Sequence, residues 1–303
     1  MKILCGIDMG GTKIEGVLLS LTDKGFDVME RYRIPTEKEK GYEHILHQIK
    51  KLVNHLEEKA GISIDKLGIG TPGALDPLSQ TLKNCNIVCL NGQPFKKDLE
   101  KVLGIPIEIA NDANCFALAE ATLGAVPEKV PDAQVVFGVI MGTGVGGGIV
   151  INGKVLHGKH GIGGEWGHNI LDMSGGPCYC GQTGCVETLI SGTGLEKFYF
   201  QQSGVKRNLK EILERQQAGN DPIAQQTLDR LIHFFGKGIA SILNVLDPDV
   251  IVIGGGVGNI DLLYQEGVES AKKFMFNPYI HTVFLKPKLG DSAGVFGAAM
   301  LVN

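Results

Sequence analysis

Three cysteines lie close together in residues 177–185, PCYCGQTGC, of a 303-residue chain that holds seven cysteines. Cys178, Cys180 and Cys185 have C-x-C-x₄-C spacing, and Gly181 and Gly184 allow the chain to turn so that the three sulfurs converge. The segment has no redox C-x-x-C pair, and an odd cysteine number without a signal sequence argues against a disulfide. Thiolates suit zinc, whose structural sites have four protein ligands, typically including Cys₃His. The fourth ligand is then a nearby histidine, and the candidates are His157, His160 and His168.

A carboxylate that could act as a general base is Asp112, in EIANDANCFA. The apolar run before it predicts a strand, and the residues from about Ala113 predict a helix. Strand carboxyl ends face the crevice of open α/β sheets, and a helix N-terminus favours the ionised carboxylate that a base requires. Asn and Asp at a helix start most often cap the helix. The residues alone therefore leave catalysis and capping open for Asn111 and Asp112.

Three glycine-rich segments follow apolar runs, at 8–13 (DMGGTK), 141–148 (MGTGVGGG) and 254–258 (GGGVG). Backbone N–H groups in such segments can surround phosphate oxygens, and Thr12 or Thr143 can add a hydroxyl donor. Asp8 would hold Mg²⁺, directly or through water, because this ion is usually bound by one or two carboxylates plus substrate phosphates. One such loop is as often a tight turn between strands, but three together favour a nucleotide site. No Walker sequence closes any of them.

The elements that position these residues occur in two similar series. Residues 2–7 predict a strand, which a glycine turn joins to a second strand, and 42–60 predict a helix ended by Gly61. Residues 133–155 repeat the order of strand, glycine turn and strand, followed by a helix over 228–245, a strand and a final helix. In a Rossmann unit the glycine turn leads directly into a helix. The sequence therefore predicts a duplicated α/β unit with a cleft between the copies, and not a Rossmann fold.

The bulk composition excludes several classes of protein. A length of 303 residues predicts about two domains, and 43% hydrophobic with 20% charged residues is typical of a globular protein. With a net charge of -4 and no cluster of Lys and Arg, we expect no nucleic-acid partner. No run approaches the ~18 apolar residues of a membrane span, and the N-terminal apolar run is too short for a signal peptide. We therefore expect a cytoplasmic protein.

Several of these segments resemble a known superfamily. GIDMGGTK, IMGTGVGGG, LDPDVIVIGGG and GDSAGVFGAA are similar to the phosphate, adenosine and second connecting motifs of the sugar kinase, actin and heat-shock chaperone ATPases. GEWGHN and CYCGQTGCVET resemble the ROK family of bacterial sugar kinases and repressors, and the resemblance runs from Ile3 to about Ala299. It implies an α/β fold of two ribonuclease H-like (actin-like ATPase) domains with a cleft between them. We expect a small domain over 1–118, completed by the helix at 291–303, and a larger domain over 119–290 that carries the zinc loop.

The resemblance also implies roles for individual residues. It makes Asp112 the general base and His168 the fourth ligand of a structural Zn²⁺, and the second ring nitrogen of His168 could then face a sugar hydroxyl. The implied sugar-binding residues are Asn111, Glu165, His168, Glu187, Gly73 and Asn84. The implied ATP and Mg²⁺ residues are Asp8, Gly10, Gly11, Thr12, Lys13, Gly142, Thr143, Gly144, Gly255 and Gly256. For the single tryptophan, Trp166, a core position is favoured over contact with the sugar.

The implied activity is ATP-dependent phosphorylation of the 6-hydroxyl of a free hexose, by a homodimer. LNGQPFKKDL, GEWGHN and PCYCGQTGCVETLISGTG resemble the manno(fructo)kinase branch most, which makes fructose or mannose the first expectation. NDANCFALAEA and GTGVGGG are equally similar to the N-acetylglucosamine kinase branch, and glucose is a further alternative. A repressor would need a helix-turn-helix before the phosphate loop, where only seven residues precede Asp8. A chaperone-like or cytoskeletal nucleotide switch would have no use for the cysteine cluster.

Overall fold

The computed structural model describes residues 2–22 and 25–303, in which strands and helices alternate along the chain. The strands are β1 (Lys2–Met9), β2 (Lys13–Thr22), β3 (Gly25–Pro35), β4 (Leu67–Thr71), β5 (Ala74–Leu75), β6 (Leu82–Lys83), β7 (Ile107–Asn111), β8 (Val135–Met141), β9 (Val145–Ile151), β10 (Lys154–Val155), β11 (Val250–Gly254) and β12 (Val283–Leu285). The helices are α1 (Tyr42–Ala60), α2 (Phe95–Leu103), α3 (Asp112–Thr122), α4 (Ala125–Lys129), α5 (Val186–Ile190), α6 (Gly192–Ser203), α7 (Leu209–Gln217), α8 (Pro222–Leu246), α9 (Gly255–Gly258), α10 (Glu266–Lys272) and α11 (Ala293–Met300).

Two five-stranded sheets have the same order of segments. The first sheet has the order β3-β2-β1-β4-β7, with β1 antiparallel to β2 and parallel to β4. The second has the order β10-β9-β8-β11-β12, with β11 parallel to both β8 and β12. Each glycine turn joins two strands, β1 to β2 and β8 to β9, and neither leads into a helix. The α/β class and the predicted duplication are confirmed at the level of the sheets.

The chain divides into two compact units. The first unit contains Met1–Asp132, Gly148–Gly164 and Lys288–Asn303, and the second contains Ala133–Gly147 and Glu165–Pro287. The boundary that we expected after residue 118 lies inside α3, which stays whole in the first unit because it packs against α4 and α11. The first unit also contains residues 148–164, and the division into domains of 1–118 and 119–290 stays a prediction. The final helix, α11, lies in the first unit.

The core of the first unit follows from the hydrophobic spacing of α1. Ile45, Ile49, Leu52 and Leu56 recur at helical intervals, and all four are fully buried in the cluster formed with β1, β2 and β4. The helix ends where Gly61 adopts a left-handed conformation and donates its N–H to the Glu57 carbonyl. The helix predicted over 42–60 is therefore confirmed.

The second unit is built around α8, which is longer than the sequence pattern predicted. It begins at Pro222 and not at residue 228, because Asp221 caps the N–H groups of Ile223 and Ala224 and proline suits the first helical position. Trp166 packs on this helix with 3% of its surface exposed, and its indole N–H donates to the Gly238 carbonyl at 3.2 Å. The core position favoured for Trp166 is therefore confirmed.

None of the helices in residues 2–22 and 25–303 combines the length and the apolar character needed to cross a membrane.

Candidate active site

Two carboxylates of the first unit lie at the same edge of its sheet. Asp8 on β1 pairs with Gly70 on β4, which in turn pairs with Ala110 on β7. Asn111 ends β7, and Asp112 is the first residue of α3. Neighbouring strands are about 4.8 Å apart, so the Asp8 and Ala110 backbones are separated by about 10 Å. The strand ends therefore bring Asp8 and Asp112, distant in sequence, to one edge.

The capping alternative applies to Asn111. Its side-chain oxygen accepts a hydrogen bond from the Asn114 N–H at 2.8 Å, as an N-cap residue does. Asp112 follows as the first residue of the helix, is exposed to solvent, and its carboxylate accepts the adjacent Ala113 N–H at 2.8 Å. Reduced hydration by the surrounding protein raises the pKa of Asp112 above its usual range, and the Ala113 and Asp112 N–H groups oppose that shift. Helix capping leaves this carboxylate available for other contacts.

Asp8 has the more perturbed environment of the two carboxylates. Burial first, and then the negative charges of Asp112 and Glu15, raise the pKa of Asp8 to about 6, while Lys13 and Arg33 oppose the rise. Because burial and the charge of Asp112 hinder the ionisation of Asp8, a cation bound beside Asp8 would stabilise its ionised form. The donor chemistry of the two carboxylates fits Mg²⁺, which prefers carboxylate oxygen.

The turn between β1 and β2 is held through its carbonyl groups. The buried Thr36 donates its hydroxyl to the Gly10 carbonyl at 2.6 Å and its N–H to the Thr12 carbonyl at 3.0 Å. Within the turn, the Gly10 N–H donates to the Lys13 carbonyl at 2.9 Å. The Thr12 and Lys13 residues are exposed. This leaves their hydroxyl and ammonium groups accessible to a ligand.

Gly73 and Asn84 are neighbours beyond the end of β4. The Thr71 hydroxyl donates to the Gly73 carbonyl at 2.8 Å, and a side chain at position 73 would overlap the backbone of Lys83 and Cys85. Asn84 lies between those two residues with a positive φ of 55°. Gly73 thus brings Asn84 to the same edge of the first sheet as Asn111, which pairs with Thr71.

The predicted metal ligands converge in the second unit. The ligand atoms of His168, Cys178, Cys180 and Cys185 all lie within 4.8 Å of one another. Gly181 and Gly184 both have positive φ, 90° and 82°, as required for the loop to fold back on itself. Among the residues that the structure describes, this metal-capable cluster includes neither His157 nor His160.

The spacing of these atoms fits a tetrahedral zinc ion. Zinc bonds of ~2.3 Å to sulfur and ~2.0 Å to nitrogen place neighbouring ligand atoms about 3.5–3.8 Å apart. The Cys180 and Cys185 sulfurs are 3.6 Å apart, and the Cys178 sulfur lies 3.7 Å from the His168 Nδ1. A Cys₃His donor set with these separations is the one that closed structural zinc sites use.

The second nitrogen of His168 contacts a residue for which no role was predicted from the sequence. Its Nε2 lies 3.0 Å from the hydroxyl of Tyr179, a residue with 83% of its surface exposed. Partial burial of that hydroxyl, and then the charges of Glu187 and Glu165, raise the pKa of Tyr179 to about 12. The Tyr179 hydroxyl thus contacts His168 and lies within the electrostatic influence of Glu187 and Glu165. Tyr179 now makes the contact that we expected a sugar hydroxyl to make with His168.

Glu187 also reaches the glycine turn between β8 and β9. Its Oε1 lies 4.0 Å from the Cys178 sulfur, and its Oε2 accepts the Val145 N–H at 2.9 Å. A side chain at position 144 would overlap this carboxylate. The absence of a side chain at Gly144 therefore permits the contact between Glu187 and the end of the turn.

Gly255 and Gly256 follow β11 and begin α9. Gly255 has a φ of 80°, and a side chain there would overlap the Met141 carbonyl at the end of β8, whereas position 256 has open space around it. The backbone therefore requires glycine at position 255 but has room for a side chain at position 256, although both residues belong to one sequence motif.

We predict that Gly255→Ala lowers the free energy of unfolding by about 1–3 kcal/mol, because alanine combines left-handed strain with a backbone overlap. Gly256→Ala is the matched control and should change it by less than about 0.5 kcal/mol. Urea denaturation of both variants measures the difference. Equal stabilities for the two variants would contradict this account of Gly255.

Glu15 is a residue of this region for which no role was predicted from the sequence. It is only 2% exposed, pairs across the sheet with Asp8 and Arg33, and forms ion pairs with Arg31 and Arg33, the latter at 2.7 Å. Burial opposes its ionisation, but the two guanidinium groups outweigh that effect and lower the pKa of Glu15. The available signal in the sequence is a glutamate inside the apolar run of the second strand.

The fold and this set of residues agree with the protein family that the whole sequence matches. The sequence profile of the ROK family matches residues 4–303, so the chain belongs to the ROK family, as the resemblance indicated. It is 35% identical over 306 residues, 98% of each chain, to the N-acetyl-D-glucosamine kinase of Vibrio atlanticus (strain LGP32). The ROK hexokinase of Thermus thermophilus is similar in structure, with a TM-score of 0.87 and 31% identity over 99% of this chain and 97% of that one. The ROK glucokinase of Streptomyces griseus, solved with glucose and AMPPNP, gives a TM-score of 0.75 and 28% identity over 99% of both chains.

Proposed function

We propose that the protein is an ATP-dependent hexose kinase that transfers phosphate to the 6-hydroxyl of N-acetyl-D-glucosamine. The observation that carries the proposal is the position of Asp112. This exposed carboxylate lies at the same edge of the sheet as Asp8, and it does not cap α3 because Asn111 does so. Phosphoryl transfer needs a group that accepts the proton of the attacking hydroxyl, and a positioned carboxylate can do this.

In the first unit, Asp112 accepts the 6-hydroxyl proton and Asn111 hydrogen-bonds the sugar. Asn111 is suited to this because its cap to Asn114 fixes its side chain. Gly73 and Asn84 add contacts from the neighbouring strand end. Asp8 is the residue that would hold Mg²⁺, directly or through water, and the ion would supply positive charge beside the phosphates of ATP. Gly10, Gly11, Thr12 and Lys13 contact the phosphates.

In the second unit, the Glu165 and Glu187 carboxylates accept hydrogen bonds from sugar hydroxyls, and the second ring nitrogen of His168 donates one. A structural Zn²⁺ would be held by His168 with Cys178, Cys180 and Cys185, and its bond to His168 would fix the orientation of the imidazole ring. Since Tyr179 occupies the Nε2 side of His168, sugar binding at that nitrogen requires the exposed Tyr179 ring to move. The nucleotide residues of this unit are Gly142, Thr143, Gly144, Gly255 and Gly256.

The choice of sugar differs from the first expectation. The motif similarities favoured fructose or mannose, but the relative at 35% identity over 98% of both chains is an N-acetyl-D-glucosamine kinase. The whole-chain similarity outweighs short motifs, because much of any sugar pocket comes from residues outside them. The fructokinase interpretation is therefore replaced by the N-acetyl-D-glucosamine alternative, with glucose behind it. The homodimer and the cleft between two domains stay predictions.

A coupled assay of ADP release on four sugars tests this proposal. We expect kcat/KM for N-acetyl-D-glucosamine to exceed the values for glucose, mannose and fructose by at least about tenfold, since a pocket built to bind a polar group discriminates against analogues that lack it. ATP without sugar is the control for hydrolysis. A higher kcat/KM for fructose would restore the first expectation, and release of no ADP with any of the four would refute the kinase proposal.

A further inference from the structure

The segment from Cys185 to Thr193 connects the cysteine cluster to the glycine turn of the second unit. It contains Cys185, the short helix α5, and the first residues of α6. Its far end lies against residues 142–145, which join β8 to β9. We call residues 142–145 the phosphate turn, in keeping with the proposed function.

Three hydrogen bonds from this segment fix the phosphate turn. The Gly192 N–H donates to the Gly142 carbonyl at 2.8 Å, and the Thr193 hydroxyl donates to the Thr143 carbonyl at 2.7 Å. The Glu187 carboxylate accepts the Val145 N–H at 2.9 Å. Every contact lies within the second unit. Both carbonyls of the tip of the turn are thus held by α6.

The orientation of these carbonyls determines where the N–H groups of the turn point. In a planar trans peptide the C=O of one residue and the N–H of the next point in opposite directions. Because the Gly142 and Thr143 carbonyls point at α6, the N–H groups of Thr143 and Gly144 point away from it. Two adjacent N–H groups directed to one side of a turn form a concave site for an anion.

We propose that Thr193 is a positioning residue for the nucleotide phosphates, which acts by holding the Thr143 carbonyl so that the Gly144 N–H faces the ligand. The proposal rests on the proposed function, which makes the phosphate turn part of an ATP site. Through Cys185 and Glu187, the same segment ties the phosphate turn to the cysteine cluster and to a sugar-binding residue. The phosphate turn is therefore oriented by the same segment that contains the proposed sugar-binding residue Glu187.

A purely structural role for the Thr193 hydroxyl is disfavoured by its surroundings. The start of α6 is capped by Ser191, whose hydroxyl oxygen accepts the Gly194 N–H at 3.0 Å, so the helix does not need Thr193 for this purpose. Thr193 is exposed, so replacing its hydroxyl with a methyl group opens no cavity. The contact with the Thr143 carbonyl is the hydrogen bond that its hydroxyl donates.

The test uses Thr193→Val, which removes the donor at constant volume, and Thr193→Ser, which retains it. Isothermal titration with Mg²⁺ and AMPPNP, without sugar, should show about three- to tenfold weaker binding for Thr193→Val and wild-type binding for Thr193→Ser. In the coupled assay, Thr193→Val should raise KM for ATP by a similar factor and leave KM for the sugar unchanged. Zinc content and the melting temperature of both variants should match the wild type.

Two outcomes would overturn the role of Thr193. One is wild-type AMPPNP affinity in Thr193→Val, and the other is equal loss of affinity in the valine and serine variants. Because AMPPNP binding is measured without turnover, the test of Thr193 is independent of the test of the kinase activity. If the wild type binds AMPPNP but phosphorylates no sugar, the proposed function fails, and the AMPPNP affinities of the two variants still decide the role of Thr193. If the wild type binds no AMPPNP, both fail.

Discussion

Asp112→Asn should reduce kcat by about 10²–10⁴ and leave the fold intact. Asparagine preserves the shape of the side chain and its acceptor for the Ala113 N–H, but it cannot take up the proton of the sugar hydroxyl. Capping by Asn111 is unaffected, so α3 should start at the same residue. The measurement is kcat in the coupled assay, with the melting temperature recorded in parallel.

Asp65→Asn is the matched control for Asp112→Asn. Asp65 is an exposed carboxylate of the same unit that precedes β4, so it lies toward the opposite end of that strand from Thr71 and Asn111. We expect wild-type kcat for this variant. A near-wild-type kcat in Asp112→Asn would exclude Asp112 as the base, whatever the control shows.

Cys180→Ser should lose most of the bound zinc and raise KM for the sugar at least about tenfold or abolish activity. A serine hydroxyl is a poor zinc ligand, and disturbing a metal site or its supporting contacts typically costs 10- to 100-fold in metal affinity or activity. Cys180 is exposed, so the substitution itself does not disturb a packed core. Zinc content by elemental analysis and the sugar KM are measured on the same preparation.

Cys89→Ser controls for cysteine replacement outside the cluster. Cys89 is half-buried and is not among the four clustered ligands, so zinc content should stay at the wild-type level. Zinc loss in Cys180→Ser without any change in sugar KM or kcat would separate the metal from the sugar site and refute the coupling through His168. Zinc binding unchanged in Cys180→Ser would refute the ligand set.

Features of the fold with strong local signals were predictable from the sequence. The periodic apolar residues of α1 and its final glycine determine that helix, and the two glycine turns between apolar strands indicate the duplication. The strand β3 was not predicted, because most of its residues are exposed and the apolar alternation is weak. It forms because the neighbouring β2 supplies hydrogen-bond partners along its whole length. Such tertiary effects override local preference.

The candidate site was predictable where its residues are close in sequence. The C-x-C-x₄-C spacing indicated a metal cluster, since three ligands come from one short loop. The contacts of Glu187 with Val145 and of Thr193 with Thr143 join segments more than 40 residues apart, with separations of 42 and 50. No local pattern specifies such pairs. The substrate preference was likewise beyond the motifs, because whole-chain similarity changed the expected sugar.

The placement of α11 has a consequence for how the chain is made. The first unit begins at the N-terminus, yet α11, which packs against β1, β4 and α3, comes from the last residues of the sequence. Domains generally fold as units during synthesis, N-terminal parts first. Here the ribosome must deliver the whole second unit before the first can complete its packing. The strand edge that carries Asp8 and Asp112 is therefore finished only after the whole second unit has been synthesised.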